Sequence, residues 1–261
     1  MLKAAWYYKP FIISSIKTEF LTRYARSKLG LFWMVLNPLA QVVIYAFVLS
    51  VVLSTKLPGI QSAYGYAAYL MAGMLAWSLF LEIVMRCLNI FLDNSNLLKK
   101  LVFPKICLPL IVSGSALVNN IALLLATLVV FSLLDHLPGL MLLWLPVLIV
   151  LNVALAIGLG LILGVLNVFI RDVGQIVPVI FQFLFWFTPI VYMASIIPEK
   201  FKGWLVLNPM FHIVTAYQNI LIFEKAPPWR ELIWVSVFTA SLLAGALYIF
   251  RKASPEMVDV L

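Results

Sequence analysis

Six stretches of about twenty or more residues carry no Asp, Glu, Lys or Arg: Leu29 to Thr55, Leu57 to Leu81, Ile106 to Leu134, His136 to Ile170, Val173 to Pro198 and Leu232 to Phe250. A hydrocarbon core about 30 Å thick offers no water to backbone amides. A segment that crosses it must be helical, and at 1.5 Å per residue it needs roughly 20 apolar residues. The spacing predicts an all-α membrane protein of six transmembrane helices, near 32–54, 66–90, 108–134, 140–167, 174–193 and 231–250. The runs are continuously apolar rather than alternating, which excludes an outer-membrane barrel. The patch from Phe211 to Phe223 is bounded by Asn208-Pro209 and Glu224-Lys225 and is too short to span, so it reads as a re-entrant or interfacial piece.

The chain is 64% hydrophobic and 11% charged, with a net charge of +8. With six spans the two termini share a side. That side holds thirteen of the Lys and Arg residues and the other holds five, Lys56, Lys200, Lys202, Lys225 and Arg230. The positive-inside rule then puts both ends in the cytoplasm. The positive charge is thus topological, and a nucleic-acid interface has no basic face to support it. Lys17, Glu19, Arg23, Arg26 and Lys28 interrupt the N-terminus before any apolar run, so a cleavable signal is not expected there. Cys87 and Cys107 flank one predicted cytoplasmic loop without a nearby His pair, which favours neither zinc nor a disulfide.

Outside the spans the pattern turns amphipathic. Ile12, Ile16, Phe20 and Tyr24 recur every four residues while Ser15, Glu19, Arg23 and Arg26 fall on another face, as in a helix lying on the membrane surface. Such a helix serves as a simple anchor, or as a gate or docking ledge for a cytoplasmic partner. Gly30 and Asn37-Pro38 mark its turn into the first span. Glu82 and Arg86 are spaced to pair on one face of the second span. After them, Asn94 to Pro109 places Leu97, Leu98, Leu101 and Phe103 among lysines, which suits a short amphipathic helix pressed on a partner. Gly160 and Gly164 make a close-packing pair on the fourth span, facing either this chain or a second copy.

No GxxxxGK[ST] loop occurs, so the chain does not hold a nucleotide by that device, and the spans lack the carboxylate clusters of a proton relay. With two histidines and no nucleophile–base pair or metal cluster, an enzyme is not expected. Energy for any transport must then arrive from another polypeptide. The aromatic run from Phe181 to Tyr192 puts Phe181, Phe185, Thr188 and Tyr192 on one helical face. That face is either ordinary membrane packing or the lining of a pathway.

Four segments, RYARSKLGLFWMVLNP (Arg23 to Pro38), NSNLLKKLVFP (Asn94 to Pro104), NVFIRDVGQIVP (Asn167 to Pro178) and LNPM (Leu207 to Met210), resemble in order the permease subunits of ABC type-2 exporters of bacterial surface polysaccharides. The resemblance spans nearly the whole chain. It implies an N-terminal tail and interface helix over 1–30, a six-span domain over 31–251 and a cytoplasmic tail over 252–261. It also implies a coupling helix at about 94–104 and short outer gate helices at about 196–223. As partners it implies a second copy, two ATPase subunits that bind the ATP, membrane lipid, and a lipid-linked polysaccharide, with O-antigen first and capsule, teichoic acid or a drug or lipid as alternatives. This chain itself would hold no cofactor and no metal. The path would run between the first, second and fifth spans, with Trp33, Tyr45, Trp77, Phe181, Phe185 and Tyr192 as lining candidates. Arg23, Arg26, Asn96, Leu97, Leu98, Lys99 and Lys100 would face the ATPase, and Arg171 and Asp172 match the short inner loop. A non-transporting scaffold is the reading from another class.

Overall fold

The computed structural model describes residues 6–24, 30–33, 35–36, 39–40, 44, 65–100, 104–133, 138–194 and 197–260. Most of the expected first span, including Tyr45, and also Arg26 lie outside these residues. Among the described residues the fold is helical throughout.

A surface helix, α1 (Lys9–Tyr24), comes first, and Gly30 follows at φ +48°, the left-handed backbone that a glycine adopts without strain. The long helix α2 (Gly65–Asp93) runs almost directly into the six-residue α3 (Ser95–Lys100). Then come α4 (Cys107–Leu133), α5 (Leu145–Phe169), which a 3-10 turn over Leu140–Trp144 leads in, and α6 (Val173–Phe187). Two short helices, α7 (Glu199–Val206) and α8 (Pro209–Leu221), precede α9 (Trp229–Ala253) and α10 (Glu256–Val260). Gly65–Asp93, Cys107–Leu133, Leu140–Phe169 and Trp229–Ala253 are long and apolar enough to cross a bilayer.

The helix α2 is the hub. Twenty of its residues are buried, because α4, α5, α6 and α8 pack around it. In hydrocarbon, apolar side chains gain little by choosing protein over lipid, so small residues and polar bonds decide which helices meet. Both devices operate here. A Cβ on Gly160 would lie 2.7 Å from the Cβ of Cys87, and one on Gly164 would overlap the Cys87 carbonyl oxygen. The close-packing pair therefore faces α2 of its own chain. Asn120 of α4 donates to the Leu75 carbonyl at 2.8 Å, while Asn152 and Asn167 of α5 donate to Ala76 and Leu88 at 2.8 and 2.9 Å. These three amides clamp α2 along about 20 Å of its length.

One boundary differs from expectation. The fifth helix, expected over 174–193, stops at Phe187, and Thr188 is extended at φ −102°, ψ 130°. Pro189 is the reason, since its ring disfavours helical backbone at the residue before it. Tyr192 therefore does not share a helical face with Phe181 and Phe185. After the last span comes one more short helix within the expected tail. Helix α10 folds back on α5 and α3, burying Met257 completely, and Phe250 stacks on Phe91 at 5.7 Å.

Candidate functional site

Two polar constructions sit at opposite ends of α2. At its Asp93 end, Arg86 pairs with Glu19 of α1 and lies 3.5 Å from Glu82. Ser115 Oγ donates to Glu19 at 2.9 Å, and Asn119 Nδ2 donates to Glu82 at 2.8 Å. The expected Glu82–Arg86 neighbourhood is present, but Glu19, 67 residues away, is the nearer partner. Its place on the polar face of an amphipathic helix gives no sign of that partner.

The same end holds the cytoplasmic-contact candidates. Asn96 and Lys99 are exposed, Leu97 is half-buried, and Leu98 is 7% exposed, closed within the chain. Lys100 ends α3, and Arg23 lies in the last turn of α1. Arg171 and Asp172 form the exposed turn between α5 and α6, where Gly174 N–H donates to the Arg171 carbonyl at 3.1 Å. That turn is pinned to α2 by Asn167, whose position in the motif carries no sign of this role: its Nδ2 reaches both the Leu88 carbonyl and, at 3.1 Å, Asn89 Oδ1. A Cβ on Gly174 would lie 2.8 Å from Asn167 Oδ1, so any larger residue there would have to push the amide aside.

At the Gly65 end, the reversal after α6 is buried. Thr188, Ile190 and Val191 are 0, 0 and 5% exposed. Non-helical backbone in such a place needs side-chain partners, and it is tolerated in membrane proteins where it is enclosed by protein or lines a cavity. Tyr66 donates to the Val191 carbonyl, and Tyr69 to those of Pro189 and Tyr192 at 3.2 and 3.3 Å. Gln218 of α8 donates to Pro189 at 3.1 Å. Asn208 caps α8 through the Met210 N–H at 3.0 Å and donates to Thr188 Oγ1 at 3.0 Å, so the LNPM segment ties the short helices to the reversal.

Beside the reversal lies a half-open cavity of about 510 Å³ lined by Trp186, Phe187, Tyr192, Ile197, Trp204 and Leu205. Tyr192 is thus at a cavity wall, half-buried. The other lining candidates lie elsewhere. Trp77 and Phe181 are 3 and 5% exposed, in a ring cluster with Phe80 and the half-buried Phe185 at centroid distances of 5.6 to 6.5 Å. Trp33 is exposed. Phe183, Trp186 and Phe187 are the rings that α6 turns outward. Among the described residues no three His, Cys, Asp or Glu side chains converge on a metal position. His212 is buried, with Nε2 2.8 Å from the Val206 carbonyl, in a structural contact.

The model of the family described as ABC-2 type transporter matches residues 11–222. The chain is 29% identical over 244 residues to an O-antigen export system permease protein of Klebsiella pneumoniae, covering 92% of this chain and 90% of that one. It is 27% identical to an O-antigen export system permease protein of Myxococcus xanthus, over 99% and 98% of the two chains. To a polysialic acid transport protein of Escherichia coli it is 22% identical, with 92% of each covered.

Proposed function

This chain belongs to the ABC-2 type transporter family, and on that premise we propose that it is the permease subunit of an ATP-driven exporter of a lipid-linked polysaccharide, O-antigen first. Two copies would form the conduit in the bacterial inner membrane, with both termini cytoplasmic and two separate ATPase subunits beneath. The observation that carries the substrate class is similarity from end to end, at 27 to 29% identity, to proteins named as O-antigen export permeases. The lower identity to a polysialic acid transport protein keeps capsule export as the second reading.

The geometry supports a passive conduit moved from one end. The chain carries no phosphate-binding glycine loop. Its exposed α3 residues Asn96 and Lys99, and the nearby α1, would receive the motion of the ATPase. Helix α2 leads directly from α3 to the tyrosines that grip the reversal, so a displacement of α3 would be passed along a single rigid element of about 43 Å. The cavity rings would offer sliding contacts to a sugar chain, while the closed Trp77–Phe181 cluster would have to open before it touched one.

Deleting the gene in its native host and staining surface polysaccharide tests the reading. Loss of long-chain O-antigen, restored by the gene and not restored when the ATPase partner carries a defective phosphate-binding lysine, is expected. Loss of capsule instead selects the second reading, and an unchanged surface rejects both.

A further inference from the structure

Arg86 faces two carboxylates on two different helices. Its Nη2 pairs with Glu19 of α1, and its Nη1 lies 3.5 Å from Glu82, one turn earlier on α2. That Nη1 is buried and makes no hydrogen bond among the described residues. Helix α4 supplies one donor to each carboxylate, Ser115 to Glu19 and, one turn on, Asn119 to Glu82. Beside these polar contacts, Ile16 of α1 rests where Gly114 has no side chain, and a Cβ there would collide with it.

We propose that Arg86, Glu19 and Glu82 form a two-position latch, in which α1 is docked while Arg86 holds Glu19 and leaves its seat in each transport cycle as Arg86 turns to Glu82. The inference rests on the transport reading and adds to it a moving part. A guanidinium stranded at the edge of a hydrocarbon core is strongly unfavourable. Here the second carboxylate is already within ion-pair range, held in place by Asn119, so the cation stays neutralised when Glu19 departs. Glu19 in turn is not sealed in its seat, since its side chain is already 30% exposed. At Gly114 there is no side chain to hold Ile16 in its seat. Arg86 is then a positioning residue, and Glu82 is the reserve partner that makes undocking tolerable.

The test uses the assembled permease–ATPase complex in membranes. Ile16→Cys with Gly114→Cys, in a background carrying Cys87→Ala and Cys107→Ala, joins α1 to α4 on oxidation. Oxidation is expected to reduce polysaccharide export to background, with recovery in reductant, and the fraction able to cross-link is expected to drop while ATP turns over. Export at the reduced rate after oxidation, or a cross-linking fraction indifferent to ATP, overturns the latch. A second variant needs no cysteines: Glu82→Gln keeps the shape and the Asn119 contact but removes the reserve charge, and is expected to lower export about fivefold or more at normal protein level. Unchanged export from Glu82→Gln also overturns the latch. The transport reading is judged separately, by export from the reduced, unlinked protein.

Discussion

Gly160 and Cys87 meet so closely that a Cβ on the glycine would lie 2.7 Å from the Cβ of the cysteine. The contact sets how near α5 comes to α2, and Gly164 repeats it one turn on against backbone. In lipid, such approach is a main source of helix association.

Gly160→Ala and Gly164→Ala are accordingly expected to destabilise the protein by about 1 to 3 kcal/mol each, the usual cost of forcing atoms into a filled contact. Gly245→Ala is the control: nothing lies within 4 Å of its added Cβ, and alanine is the better helix former there. Thermal unfolding in detergent should separate the three, with Gly245→Ala at or above the parent.

The ring cluster predicts a sharp contrast within one helix. Phe181 is closed against Trp77 and Phe80, whereas Phe183, two residues on, is 64% exposed. Phe181→Ala should cost about 3 to 5 kcal/mol and lower the amount of folded protein, while Phe183→Ala should stay within about 0.5 kcal/mol. Detergent melting curves and membrane protein levels measure this directly. Export by the variants has to be scaled to those levels.

The reversal depends on two hydroxyls of α2. Tyr66→Phe with Tyr69→Phe removes the hydroxyl donors to the carbonyls of residues 191 and 192 and one of the two donors to residue 189, where Gln218 stays, while keeping the rings. A cysteine placed at Ile190, which is fully buried, should resist a membrane-impermeant maleimide in the parent. It should become reactive in the double phenylalanine variant, because the freed carbonyls seek water. Equal labelling in both would show that the tyrosines do not hold the reversal.

Within α3, Lys99 and Leu98 should fail in different ways. Lys99 is exposed, so Lys99→Glu is expected to weaken capture of the ATPase subunit at normal protein level. Leu98 is buried inside the chain, on the helix that α10 packs against. Leu98→Asp is expected to lower the protein level itself, since an unpaired buried charge opposes folding. Immunoblots and co-purification distinguish the two outcomes.

Much of this was legible from the residues alone. The all-α membrane fold follows from charge-free runs, and four of the six expected spans are helices of spanning length. The first falls largely outside the described residues, and the fifth is shorter than its apolar pattern, which continues past Pro189, because backbone sterics rather than hydropathy end the helix. The pairing range of Glu82 and Arg86 was visible as an i,i+4 spacing. The Glu19 partner was not, since no local spacing links residues 67 positions apart.

By itself, then, the order of amino acids decided that this chain lives in a bilayer and roughly where it crosses, because hydrocarbon imposes its demand on every backbone amide in turn, along one dimension. Tertiary structure alone decided which faces meet. Helices apolar all round carry no periodic signal of which way they turn, so the choice of α2 as hub, the burial of Trp77 and Phe181, and the meeting of Glu19 with Arg86 rest on a few glycines and amides whose partners are distant in the chain.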